Sequence, residues 1–392
     1  MLFFALGLLG RRSSLGERHF KGIWGAMTHR ERFVRTLTGQ EVDRVPFIKV
    51  FGGKNQIVPK WEKECPGISQ CIDEILQFEG EHRGWQRTDV NMELSQVGET
   101  KIIEENESRI VQGRGDGTVE IIQKVGDFHR YTVEWPVKSR KDWYQIKERH
   151  MQADDPERFP KDWPEQVARY RNRDYPLQLT HRGVYGFARS MMGDINLAYA
   201  FYDDPELVHD IMDSYTDMAI AIWSKMVKDI DFDLIECWED MASRNGALIS
   251  PATFREFMKP NYLKIASFAK EHGINIILVD SDGYIENLTE LMLESGVTAL
   301  YPYEVQAGND VGRVLDRFPS LGVIGGLDKN VMAKGKKEID REIERARELI
   351  RKGRYIPGPD HFVLSDVSWA NYRYFMERLR EVVMTTKPGT DF

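Results

Sequence analysis

The chain has 392 residues, 41% hydrophobic and 11% aromatic, enough for a large core and too apolar for wholesale disorder. Its formal net charge is -8, and the Lys/Arg run from Lys334 to Arg354 alternates with Glu and Asp, so no basic stripe is on offer to a nucleic-acid backbone. Three scattered cysteines, Cys65, Cys71 and Cys237, suit a reducing compartment and supply neither a disulfide framework nor a thiolate-rich zinc site.

Leu2 to Leu9 is apolar, but no Lys or Arg precedes it and it is too short to span a bilayer. Residues 1–26 are therefore expected to be a disordered leader or a misassigned start. Thr28-His-Arg-Glu31 is a capping box that opens an amphipathic helix with Phe33, Val34 and Leu37 on one face. Val45–Val50 reads as a first strand and Trp85–Leu94 as a second. Between Thr100 and Trp135 apolar and polar residues alternate, with Gly113-Arg-Gly-Asp-Gly117 at a turn. This predicts an antiparallel excursion of three or four strands, placed at the barrel mouth as a lid or an interface.

Leu177–His181 reads as a third strand. From about residue 230 the chain keeps one rhythm, a short apolar strand followed by a helix. The strands are Leu234–Trp238, Asn275–Val279, Thr298–Pro302, Leu321–Gly325 and Tyr355–Pro357; the helices are Pro251–Glu271, Ile285–Ser295, Asp310–Arg317, Lys337–Lys352 and Ser368–Val383. Such alternation means βαβ units and a parallel sheet, and eight strands close a barrel. The expected fold is α/β: a (β/α)8 TIM-type barrel over residues 27–392, with the β-rich insertion at about 98–136. No stretch approaches membrane length, which predicts a soluble, cytoplasmic protein.

Catalysis in such barrels sits where the C-terminal strand ends converge. Five successive strand ends here carry carboxylates: Glu236, Glu239 and Asp240 with Trp238; Asp280 and Asp282; Glu304 with Tyr301; Asp328; and Asp360 followed by His361. Some of these acids cap helices. Several in one mouth repel, so either pKa values rise or a cation holds them together. A divalent metal on Asp/Glu oxygens and His361 is chemically reasonable; an acid/base pair without metal stays open. His181 is a candidate to enter the mouth, against a structural histidine. Arg189 is a candidate anchor for a substrate carboxylate, against a surface ion pair. No nucleotide-binding loop or fingerprint appears, so no nucleotide cofactor is expected.

Trp238-Glu-Asp-Met-Ala, Leu248-Ile-Ser-Pro and Phe254-Arg-Glu-Phe-Met-Lys-Pro resemble the uroporphyrinogen decarboxylase (URO-D) superfamily. So do Asp280-Ser-Asp-Gly283, Pro302-Tyr-Glu-Val-Gln-Ala-Gly308, Gly325-Gly-Leu-Asp-Lys329 and Tyr355-Ile-Pro-Gly-Pro-Asp-His361 with Asn371-Tyr-Arg-Tyr-Phe. The likeness runs from about Thr28 to Val383 and implies a (β/α)8 barrel. It is closer to the divergent methyltransferase-like members than to the true decarboxylases.

The decarboxylase branch implies an arginine-rich stretch after the first strand; this chain has Phe47-Ile-Lys-Val-Phe-Gly-Gly-Lys54, with two lysines and no arginine. Asp89 is the candidate for that branch's aspartate. The methyltransferase branch implies zinc and a corrinoid protein as methyl acceptor, but the thiolates of its thiol-activating members are absent. The resemblance therefore implies metal-assisted methyl transfer from a small methoxy- or methylamine-type compound. Asp280, Glu304 and His361 form the preferred ligand set, with Glu236 or Asp282 as substitutes, and Glu239 and Asp240 are further catalytic candidates. Trp238, Tyr301, Arg189 and His181 would contact the substrate. Expected partners are a small molecule, a corrinoid protein and a second copy of the chain, with neither nucleic acid nor membrane. The alternatives are decarboxylation of a porphyrinogen or related acid, and a non-catalytic binding protein that docks through the β-rich excursion.

Overall fold

The computed structural model describes residues 27–52, 57–125 and 130–389; the leader expected at 1–26 and Lys54 lie outside them. In chain order the strands are β1 (Gln86–Arg87), β2 (Gly98–Glu105), β3 (Arg109–Gly115), β4 (Val119–Gln123), β5 (Arg130–Glu134), β6 (Leu177–His181), β7 (Leu234–Trp238), β8 (Ala242–Ser243), β9 (Gly246–Ala247), β10 (Ile276–Asp280), β11 (Ala299–Tyr301), β12 (Gly322–Leu327) and β13 (Tyr355–Pro359). Seven of them form one parallel sheet in the order β1-β6-β7-β10-β11-β12-β13. Helices alternate with these strands, as a TIM-type barrel requires.

Side chains alternate across a strand, and the chain uses both faces for packing. Leu234, Ile276, Leu278, Ala299, Tyr301, Ile324 and Ile356 meet on the inner face. Ile235, Cys237, Ile277, Val279, Leu300 and Val323 face the helices. The helix His29–Leu37 opens with the expected capping box and sends Phe33 and Leu37 into the inner cluster.

The expected first strand, Val45–Val50, forms no ladder. Pro46 has no N–H to give, and Lys49 N–H bonds instead to the Arg83 carbonyl at 2.7 Å. The segment still fills the barrel wall beside β13. Ile48 and Val50 join the inner cluster, and Gly358 lies so close that a Cβ there would fall 2.3 Å from Val50. The second strand is likewise shorter than expected, Gln86–Arg87 within Trp85–Leu94.

Helix expectations hold with small shifts. Ile285–Ser295 contracts to Thr289–Glu294. Pro251–Glu271 is continuous but contains a π turn at Phe254–Met258, directly ahead of Pro260. A proline inside a helix removes one backbone hydrogen bond, and a widened turn absorbs that loss.

The antiparallel excursion is a four-stranded meander, β2-β3-β4-β5, with Asp116 to Thr118 in the turn between β3 and β4. Its last strand leads to Trp135, against which Gly193 packs, and Val137 N–H bonds to the Met191 carbonyl. The docking point is thus the far end of the helix Val184–Met192, away from that helix's start at the mouth. Among the described residues the polar and ring contacts of the mouth come from other segments. No helix among the described residues is long and apolar enough to cross a membrane.

Candidate functional site

The strand register sets the inward residues in rows. Thr180, Glu236, Leu278, Ala299 and Gly322 are paired across β6, β7, β10, β11 and β12; one step nearer the rim, Trp238, Asp280 and Tyr301 are paired. Glu236 therefore lies a layer below Asp280. The Trp85 indole N–H donates to Glu236 Oε2 at 2.9 Å. Burial raises the Glu236 carboxyl above the usual range, and Trp85 offsets part of that. Asp280 is pushed well up by burial and then by Glu236, Asp240 and Asp282. Both carboxyls of the floor are thus pushed above the ordinary carboxylate range.

Above the floor three residues converge. Asp282, Glu304 and His361, from the ends of β10, β11 and β13, place one ligand atom each within 4.8 Å of the others, the one such trio among the described residues. His361 Nε2 lies 3.4 Å from Asp282 Oδ2. Glu304 Oε2 accepts the Gly283 N–H at 2.9 Å, while Oε1 lies 3.5 Å from Lys329 Nζ. Ligand atoms ~2.1 Å from one tetrahedral ion lie ~3.4 Å apart, so closing the trio takes a shift of up to about 1.4 Å. Two carboxylates and an imidazole with an open side suit zinc, or a harder divalent ion with added water. The Asp280 expected in the ligand set sits behind Asp282, which joins Glu304 and His361 in its place.

Aromatic rings wall the site. Phe51 stacks on both Tyr301 and His361 with ring centres 5.2 Å apart, and Trp85 meets Tyr301 edge-on at 5.5 Å. On the opposite side the Arg182 and Arg189 guanidiniums lie 4.0 and 5.6 Å from the Trp238 ring centre. Arg189 pairs with Asp240 at 3.3 Å, and Asp240 accepts the Asp282 N–H at 3.4 Å. Burial and the Asp282 charge raise the Asp240 carboxyl, against the pull of Arg189.

Three expected site residues are placed elsewhere. Glu239 is sealed from solvent and accepts from Val184 N–H at 2.8 Å, Gly186 N–H at 3.0 Å and the Tyr262 hydroxyl at 2.5 Å. It satisfies the free donors of a helix start, which is a scaffold task. Gly183, at φ +87°, lets that helix approach; a Cβ there would fall 2.2 Å from the Trp238 carbonyl oxygen. His181 has the parity of Leu179 and faces the helices, with ring centres 4.8 and 5.8 Å from Tyr215 and Trp223. Burial takes its pKa down to about 3, so the ring is neutral. Asp89 is exposed and accepts from Gln166 at 3.1 Å, clear of the mouth carboxylates.

Sequence reasoning missed Phe51, Trp85, Arg182, Lys329 and Asp360's role. Asp360 is fully buried and accepts the N–H groups of Val305 and Lys329. For Arg182 a signal existed: it is one step past His181, on the inward parity. Phe51 and Trp85 lie in segments with little regular structure, where parity gives no guide.

No curated protein sequence matches the chain significantly. Among solved structures, a methyltransferase from Methanosarcina mazei superposes with a TM-score of 0.59 at 17% identity, covering 91% of this chain and 99% of that one. A Listeria monocytogenes protein described as a vitamin-B12 independent methionine synthase reaches a TM-score of only 0.31 at 13% identity, over 55% of this chain and 69% of that one, and carries no argument. The first likeness supports the barrel. The uroporphyrinogen decarboxylase (URO-D) family profile matches residues 162–382, more than half of the 392, and covers β6 through the last helix. On that match the chain belongs to the uroporphyrinogen decarboxylase (URO-D) family.

Proposed function

We propose that this barrel is a methyltransferase that takes a methyl group from a small methoxy- or methylamine-type compound and passes it to a corrinoid protein. The observation that carries the reading is the convergence of Asp282, Glu304 and His361 at the mouth. The superposition on a protein called a methyltransferase over nearly its whole length supports it. In the reaction the carbon–heteroatom bond breaks, the methyl group joins reduced cobalt of the partner, and the heteroatom keeps its electron pair and takes a proton.

A divalent ion held by the trio would polarise the methyl-bearing heteroatom as a Lewis acid. The chain's own residues do the rest. Phe51 stacks on His361 and fixes its ring plane, and Gly283 N–H holds Glu304. Tyr301, Trp85 and Phe51 give an apolar wall that keeps water from the reacting carbon. Trp238 lines the opposite side. The decarboxylase alternative is weaker here, because Asp89 is bound to Gln166 rather than facing the mouth.

The test is metal content and methyl transfer together. Purified protein should hold about one zinc or other divalent ion per chain, and His361→Ala should lose it while remaining folded. With metal restored, the wild type should methylate cob(I)alamin from a methoxy or methylamine donor, read by its visible spectrum. A protein that neither contains nor gains a divalent ion would sink the proposal.

A further inference from the structure

The mouth has a second chemical character that methyl transfer as such does not require. Arg182 follows β6 directly, and the register that sets His181 beside Cys237 puts Arg182 beside Trp238. Its guanidinium lies 4.0 Å from the Trp238 ring centre, with that of Arg189 at 5.6 Å from the same ring. Arg182 Nε is shut off from solvent and has no acceptor among the described residues. Its nearest carboxylate, Glu93, is 3.9 Å away and 59% exposed. Arg189 engages Asp240 through one nitrogen. Two cations against one indole repel, and a sealed N–H without an acceptor is costly. An anion on the exposed part of the Arg182 guanidinium, whose side chain is 31% exposed, offsets that repulsion, and a carboxylate matches the fork of a guanidinium.

This cationic lip is close to the trio. Contacts run from Arg189 to Asp240 at 3.3 Å, on to Asp282 at 3.4 Å, and from Asp282 to His361 at 3.4 Å. Arg182 and Asp280 belong to strands two places apart, a span of ~10 Å, and the aromatic wall adjoins the trio. A single substituted ring or short chain bridges such a gap.

We propose that Arg182 and Arg189, gathered about Trp238, form a docking subsite for a substrate carboxylate, so that the methylated compound is an acid whose methyl-bearing end reaches Asp282, Glu304 and His361. The far end of that placement rests on the methyl-transfer reading; the carboxylate subsite does not. The test is calorimetric titration of the full chain with 4-methoxybenzoate and with 4-methoxybenzamide, the neutral analogue, before and after chelation. The acid should bind saturably and at least about tenfold more tightly than the amide. Arg182→Gln should cost the acid about ten- to a hundredfold and leave the amide unchanged, with Arg182→Lys intermediate. Arg189→Gln should cost less, because Asp240 already occupies that side chain. Equal binding of acid and amide, no saturable binding of the acid, or full affinity in a folded Arg182→Gln overturns the subsite. Carboxylate binding that survives in a protein unable to hold a divalent ion would refute methyl transfer and leave the subsite standing.

Discussion

On the β7 wall of the mouth Glu239 is sealed from solvent and accepts from two backbone N–H groups and the Tyr262 hydroxyl. On the β13 wall Asp360, equally sealed, accepts from the N–H groups of Val305 and Lys329. Each is followed in sequence by a residue that faces the open mouth, Asp240 on one wall and His361 on the other. The walls then diverge. The β7 wall carries the guanidiniums of Arg182 and Arg189, and the β13 wall completes the trio with Asp282 and Glu304. A strand-end acid is scaffold when both of its oxygens accept backbone N–H groups, as in Glu239 and Asp360, and is open to chemistry when only one does, as in Asp240 and Glu304.

That comparison can be broken most directly at its two sealed acids. Glu239→Ala leaves three donors unpaired in the core and should cost about 3–5 kcal/mol in urea unfolding. Asp360→Ala leaves two and should cost about 2–3 kcal/mol. Asp360→Ala should also weaken divalent binding, since Val305 and Lys329 flank the trio, while a folded Glu239→Gln should leave it intact. The reverse pattern would mean that the walls have been assigned the wrong way round.

A smaller effect is expected at His181. His181 has an ordinary value of 6.5 when unfolded and about 3 in the fold, because burial favours its neutral form. Its contribution to stability is therefore complete above about pH 6.5 and declines as the pH falls from there toward 3. His181→Asn, which keeps an acceptor for the Gly183 N–H now held by Nδ1, should flatten that part of the stability curve. An unchanged acid limb in His181→Asn would show that other groups set it.

The smallest effect is expected at Lys329, whose ammonium lies 3.5 Å from Glu304. Lys329→Met should tighten divalent binding on the order of threefold to tenfold, the ~1 kcal/mol of a partly screened ion pair. Weaker binding instead would make Lys329 a support for Glu304 rather than a competitor.

Much of this was legible in the sequence where the physics is local. The strands from Leu234 onward and Leu177–His181 are apolar runs bounded by helix signals, and the meander announces itself by alternation. That Val45–Val50 would form no ladder was not legible, because Pro46 and the Arg83 carbonyl redirect the backbone. The five acidic strand ends located the mouth. Choosing among them needed the three-dimensional contacts: the convergence of Asp282 with Glu304 and His361, the backbone donors of Glu239 at a helix start, and the register that turns His181 outward. Phe51 and Trp85 come from distant irregular segments, and only the curling of the seven-stranded sheet brings them to His361 and Glu236.

The π turn at Phe254–Met258 makes one more property of the mouth intelligible. A π turn is an α-helix carrying one surplus residue, so every later side chain is advanced by about 100° around the axis. With that advance the Tyr262 hydroxyl reaches Glu239. Deleting any single residue from 254–258 would leave the composition almost untouched and swing Tyr262 more than a quarter of a turn away. Glu239 would lose a donor, and the helix that carries Arg189 would lose part of its anchorage. The arginine wall is thus tuned by chain length as well as by residue identity, and an indel in a helix that contributes no side chain to the mouth can detune it.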